Sequence, residues 1–169
     1  MKKLLVLALA VLAAAVATVA GAAQGPTSAW DKEWLKTSLA GDRFEIQGGK
    51  LALSRSHNAA LRTLARHLVS DHSKSLHEGA RLAASLGVKV PKSPEPSMVW
   101  ELKMVSSLPT GAFERWYSSL EVYDHVQDVQ EAQSEVSEGT NPDVRHEAAK
   151  DLPTLKMHLR LSRRALAQT

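Results

Sequence analysis

A chain of 169 residues with 44% hydrophobic side chains can bury the core of one domain and is too apolar to be disordered throughout. The absence of cysteine excludes disulfides, thiolate metal ligands and cysteine nucleophiles. The formal net charge of +3 falls to +1 once Lys2 and Lys3 are set aside, so charge gives no support for nucleic-acid binding.

The first residues read as an export address. Met1-Lys2-Lys3 is a short positive segment, Leu4 to Ala20 is almost wholly apolar, and the small residues Ala20-Gly21-Ala22-Ala23 follow. This is the anatomy of a secretory signal peptide over residues 1–22. An uncleaved membrane anchor is the competing reading, weakened by the alanine content of the run. The expected organisation is a signal peptide, a short linker at 23–27 and one domain at 28–169, in a periplasmic or secreted protein. No later segment is apolar enough to span a membrane.

From residue 28 onward apolar side chains recur at helical spacing, and alternating runs or hairpin turns are missing. The first helix is expected from Ser28 to about Ser56, with Trp30, Trp34, Leu35, Leu39, Ile46 and Leu53 inward. Asn58 is a good N-cap for a second helix, whose stripe of Leu61, Leu64, Leu68, Leu76, Leu82, Ala83 and Leu86 ends at Gly87. Val88 to Ser97 carries Pro91, Pro94 and Pro96 and must be extended, advancing ~3 Å per residue along the bundle. A short helical piece from Met98 to Val105 precedes the third long helix, Pro109 to Glu138, with Phe113, Trp116, Leu120, Tyr123, Val126, Val129 and Val136 inward. Asn141-Pro142-Asp143 opens the fourth, which reaches about Leu166 with Pro153 inside it. Two short connections flanking one long crossover between helices 2 and 3 define an all-α, ferritin-like four-helix bundle.

Four polar residues stand near the estimated centres of the four long helices: Glu45, His72, His125 and His158. Each lies on or beside its apolar stripe, so helix phase brings them toward one level of the core. Neutral imidazoles with a carboxylate suit a divalent transition metal such as zinc, copper, iron or manganese, and buried polar groups need either a ligand or a hydrogen bond. Asp71 and Glu121 are candidates to support the ligands from behind. The same four residues also fit a metal-free, hydrogen-bonded polar layer that fixes helix register. Gly41 and Gly48-Gly49 flank Glu45 and leave room for close helix approach.

The segments Phe44-Glu45, Gly48-Gly49-Lys50-Leu51-Ala52, Asp71-His72-Ser73 and Leu82-Ala83-Ala84-Ser85-Leu86-Gly87-Val88 resemble an exported bacterial family, the domain of unknown function 4142 family. Gly111-Ala112-Phe113-Glu114-Arg115-Trp116-Tyr117, His125 and the run Leu152-Pro153-Thr154-Leu155-Lys156-Met157-His158-Leu159 extend the resemblance to residues 28–167. It implies a ferritin-like bundle, export across the inner membrane and no settled activity, and Glu45, His72, His125 and His158 match its recurrent polar positions. Glu114, where aspartate is common, and the bulky Trp116 depart from the pattern.

Enzyme chemistry finds little support. No Glu-x-x-His precedes His72, His125 or His158, as di-iron carboxylate sites require, and neither a glycine-flanked serine nor a phosphate-binding glycine loop occurs. No catalytic residue is assigned. His57, His67, His77 and His146 belong to polar faces or helix ends, Lys156, Arg160, Arg163 and Arg164 to a solvated strip, and the four tryptophans to the core. The expected role is metal binding linked to envelope stress or metal handling. The alternative is a structural protein interacting with an envelope partner.

Overall fold

The computed structural model describes residues 25–169; the expected signal peptide lies outside them. The first helix, α1 (Ala29–Arg55), opens with a reciprocal cap. Ser28 Oγ accepts from the amide of Asp31 at 3.1 Å, and Asp31 Oδ2 accepts from the amide of Ser28 at 2.6 Å. The other Asp31 oxygen reaches across the molecule, accepting from the amides of Thr140 at 2.7 Å and Asn141 at 3.2 Å. Asn141 caps α5 (Pro142–Leu166) while its amide donates to the Gly25 carbonyl at 2.9 Å. One clamp therefore fastens the entry to α1 against the turn before α5. Burial pushes the Asp31 carboxyl up, but the donors from Ser28, Asn141 and Thr140 outweigh it and hold it at about 2.

At the opposite end, α1 turns through three residues into α2 (Ala59–Ser85), capped by Asn58. Glu114 Oε1 accepts there from Ser56 Oγ at 2.6 Å and from the amides of His57 at 2.9 Å and Asn58 at 3.2 Å. The Glu114 carboxylate thus ties the turn to the start of α4 (Thr110–Glu138). Gly87 ends α2 at φ 67°, a conformation that favours glycine, and the amide of Val88 returns to the Ala83 carbonyl at 2.8 Å. The crossover is pinned by Arg43, which donates to the Pro91 carbonyl at 2.8 Å, and contains a short α3 (Pro96–Ser106).

There are thus five helices among the described residues, with no strand: four long ones and a short one within the crossover. Helix α1 packs on α2, α2 on α5, α5 on α4 and α4 on α1, closing a ring of four, while α3 leans on α1 and α4. Two apolar clusters fill the ends. Phe44, Leu61, Leu64, Leu68, Phe113 and Tyr117 occupy one; Leu35, Leu39, Ala83 and Val88 occupy the other. The level between them is polar. Close helix approach is made at Gly49, where an added Cβ would sit 2.9 Å from the Ala65 carbonyl oxygen.

The aromatic residues correct part of the expected core. Trp30 is 50% exposed, Trp100 61%, Trp116 62% and Tyr123 59%. The buried face of α4 instead carries Phe113, Tyr117, Ser118, Glu121, His125, Ala132 and Glu135. Because that inward stripe is itself polar, the apolar periodicity of the sequence marks the flanks of α4 and not its centre. No helix among the described residues is long and apolar enough to cross a membrane.

Candidate metal centre

All four long helices contribute to the polar level. Helix α1 carries Asp42 and Glu45 three positions apart, α2 carries Asp71 and His72, α4 carries Glu121 and His125 four apart, and α5 carries His158. Glu45, His72, Glu121, His125 and His158 are all buried. The ring centroids of His72 and His158 are 5.1 Å apart, those of His125 and His158 5.2 Å, and those of His72 and His125 5.9 Å.

Each imidazole has one nitrogen committed to an acceptor. His72 Nδ1 donates to Asp42 Oδ1 at 2.8 Å, His125 Nδ1 to the Glu121 carbonyl at 2.9 Å, and His158 Nε2 to Asp71 Oδ2 at 3.0 Å. A backbone carbonyl only accepts, so the proton of His125 is on Nδ1 and its lone pair on Nε2. The other three ring nitrogens, His72 Nε2, His125 Nε2 and His158 Nδ1, are buried and have no hydrogen-bond partner. Ligand atoms of these three residues lie within 4.8 Å of one another.

Glu45 falls into a second grouping, with Glu121 and His125, again within 4.8 Å. Glu45 Oε2, both carboxyl oxygens of Glu121 and the hydroxyl of Tyr117 are buried and make no well-aligned hydrogen bond, although Glu121 lies within reach of Tyr117 and Glu45 and its Oε2 stands 3.5 Å from His125 Nδ1. The Tyr117 ring enters over Gly48, whose missing side chain gives it space. Thus the structure brings the three histidines together and places Glu45 beside them across His125.

The electrostatics suit neutral ligands. Burial, followed by repulsion from His72, depresses His158 to about 4, and burial with repulsion from His72 and His158 holds His125 well below the usual imidazole range. Both rings are neutral at pH 7. Burial raises Glu121 to about 8 against the opposing Tyr117 hydroxyl, with Asp124 adding repulsion; burial and the neighbouring Glu121 push Glu45 well above the usual range. A cavity of about 90 Å³ reaches His72 and Glu45 between acids of α1 and α4, and one of about 180 Å³ reaches His72 and His158 between α2 and α5.

Of the two residues expected behind the ligands, Asp71 orients His158 and also approaches His67 Nδ1 at 3.4 Å. Glu121 orients His125 through its backbone while its carboxyl joins Glu45. Asp42, the partner of His72, escaped the sequence reading; its only signal is a position three before Glu45, on the same helical face. His57, His77 and His146 are exposed, and His67 is half-buried. Lys156, Arg160, Arg163 and Arg164 are all exposed.

Fold and site together define an all-helical protein with a buried histidine–carboxylate centre. The model of a family described as "Domain of unknown function (DUF4142)" matches residues 16–164, and the chain belongs to that family. Among solved structures, a chain described as the crystal structure of a DUF305 fragment from Deinococcus radiodurans superposes with a TM-score of 0.74 at 16% identity. The match covers 85% of this chain and 99% of that one, and the likeness is one of fold. No curated protein matches this chain.

Proposed function

We propose that this protein is an exported, ferritin-like helical bundle that binds one divalent transition-metal ion through His72, His125 and His158. The observation that carries the reading is the placement of the imidazoles: three buried ring nitrogens without a partner, each opposite a nitrogen already held by an acceptor. Buried polar atoms are normally satisfied, and three unsatisfied ones from three helices at one point match the donor set of a metal site. Ligand nitrogens of a tetrahedral ion at ~2.0–2.1 Å lie roughly 3.4 Å apart, so small ring rotations close the triad. Asp42 and Asp71 behind two of the rings raise their basicity and supply negative charge. Imidazole donors favour zinc, copper, nickel or ferrous iron.

Glu45 stands beside this triad as a carboxylate that can offset the ion's charge. The residues hold and neutralise an ion, and none supplies a nucleophile, so the role is metal handling in the compartment to which residues 1–22 address the chain.

The test is a titration of chelator-treated, untagged protein with cobalt(II), read by visible absorption, and with zinc by calorimetry. One ion per chain is expected, with at least a hundredfold weaker binding in His125→Ala and retained helicity. If wild-type protein takes up neither cobalt, zinc, copper, manganese nor ferrous iron, and His125→Ala is destabilised equally with and without them, the centre is a polar layer that sets helix register.

A further inference from the structure

We infer that the centre offers a cation two mutually exclusive seats that share His125: a nitrogen seat of His72, His125 and His158, and an oxygen-rich seat of Glu45, Glu121 and His125. The hardness of the ion decides which is filled. The inference rests on the metal-binding reading above and adds a second position to it.

Three observations carry it. The second set meets the same bound as the first, its ligand atoms lying within 4.8 Å of one another, and all three of its residues are buried. Its oxygens have no counter-ion. Glu45 Oε2 and both oxygens of Glu121 make no well-aligned hydrogen bond, the two acids leaning on each other, on Tyr117 and on His125 Nδ1 at 3.5 Å from Glu121 Oε2. Among the described residues no lysine or arginine pairs with either acid. Two buried carboxyls side by side with no cation between them form a place that a divalent ion would complete. The five residues nevertheless fall into two sets of three and not one of five, so a single ion position does not serve all of them.

Exclusivity follows from His125. Its Nδ1 is held by the Glu121 carbonyl at 2.9 Å and stands 3.5 Å from Glu121 Oε2, and a neutral imidazole bonded in this way has a single lone pair to give, on Nε2. One lone pair serves one ion. An ion in either seat takes the shared nitrogen from the other, and the stoichiometry stays at one per chain. The donor sets then sort ions by type. Three imidazoles suit cobalt(II) and zinc, whereas two carboxylates with one imidazole suit the harder manganese(II).

The experiment compares manganese(II), followed by loss of the six-line electron paramagnetic resonance signal of the free ion, with cobalt(II), followed by its visible bands. Two conservative variants separate the seats. His158→Gln should weaken cobalt binding at least tenfold and leave manganese within twofold. Glu121→Gln keeps the backbone carbonyl that orients His125; it should weaken manganese at least tenfold and leave cobalt within twofold. Zinc should expel bound manganese one for one. Glu45→Gln repeats the manganese arm should Glu121→Gln fail to fold. Parallel losses of both ions in both variants, or cobalt and manganese bound together at two per chain, would overturn the shared-seat inference while leaving metal binding intact. Cobalt binding without manganese binding would do the same. Failure of the wild-type protein to bind either ion removes both readings.

Discussion

Asp71 shows how one side chain outside the donor set governs the ligands. Its carboxylate accepts from His158 Nε2 at 3.0 Å, which leaves Nδ1 unprotonated and turned into the centre. Burial raises this acid, but the bonds from His158 and His67 outweigh it and hold it below the usual aspartate range. Asp71→Asn keeps an acceptor but removes the charge that makes the ring more basic. Zinc affinity should fall ~10–100-fold with the fold retained, measured by competition with a chromophoric chelator. At this scale the sequence revealed Asp71 because it adjoins His72, yet it serves His158 on another helix. Asp42 serves His72 and carries no motif, because a pairing between residues 30 positions apart depends on how two helices face each other.

At the scale of the element, caps and breaks were plain in the sequence. Ser28, Asn58, Gly87 and Asn141 stand where helices begin or end, since their side chains or backbone freedom satisfy groups that the helix leaves open. The face of α4 was not plain. Its centre is lined by Glu121, His125 and Glu135, so the hydrophobic pattern placed Trp116 and Tyr123 inside when both are exposed. Helix proximity can be tested with two glycines of α1. A Cβ on Gly49 would meet the Ala65 carbonyl oxygen and Val69 Cγ2 at 2.9 Å each, whereas one on Gly41 meets nothing within 4 Å. Gly49→Ala should destabilise by about 1–3 kcal/mol and Gly41→Ala should stabilise by roughly 0.5–1 kcal/mol, read from urea unfolding.

The whole molecule carries an acidic interior that its net charge conceals. Burial first, then neighbouring acids, raises Asp124, Asp151 and Glu135 to about 7 and Glu121 to about 8, against ordinary values of 3.8 for aspartate and 4.5 for glutamate. An acid whose folded value lies above its unfolded one stabilises the fold below the unfolded value and loses that contribution as pH rises through the folded one. Histidine acts oppositely: His158, depressed from 6.5 to about 4, withdraws its stabilisation as pH falls through that interval. Above pH 6.5 the unfolded-state protonation of His158 and His125 is already half gone and fades further. Their remaining gain is small beside the loss from four acids, which decide the sign. Metal-free protein should therefore melt at a lower temperature at pH 8 than at pH 6.5, measured by circular dichroism with a chelator present.

Composition and periodicity by themselves determined an all-helical chain, the ends of its helices, the long crossover and the central level of Glu45 and the three histidines. These are local properties, set by caps, prolines and spacing along one helix. Only the tertiary structure decided which ring nitrogen is free, that Glu45 belongs with Glu121 rather than with all three imidazoles, and that Asp42 and Asp71 stand behind His72 and His158. Those facts depend on the rotation of each helix about its axis, and a step of one residue turns a side chain by about 100°. When the buried stripe is polar, the hydrophobic pattern carries no record of that angle.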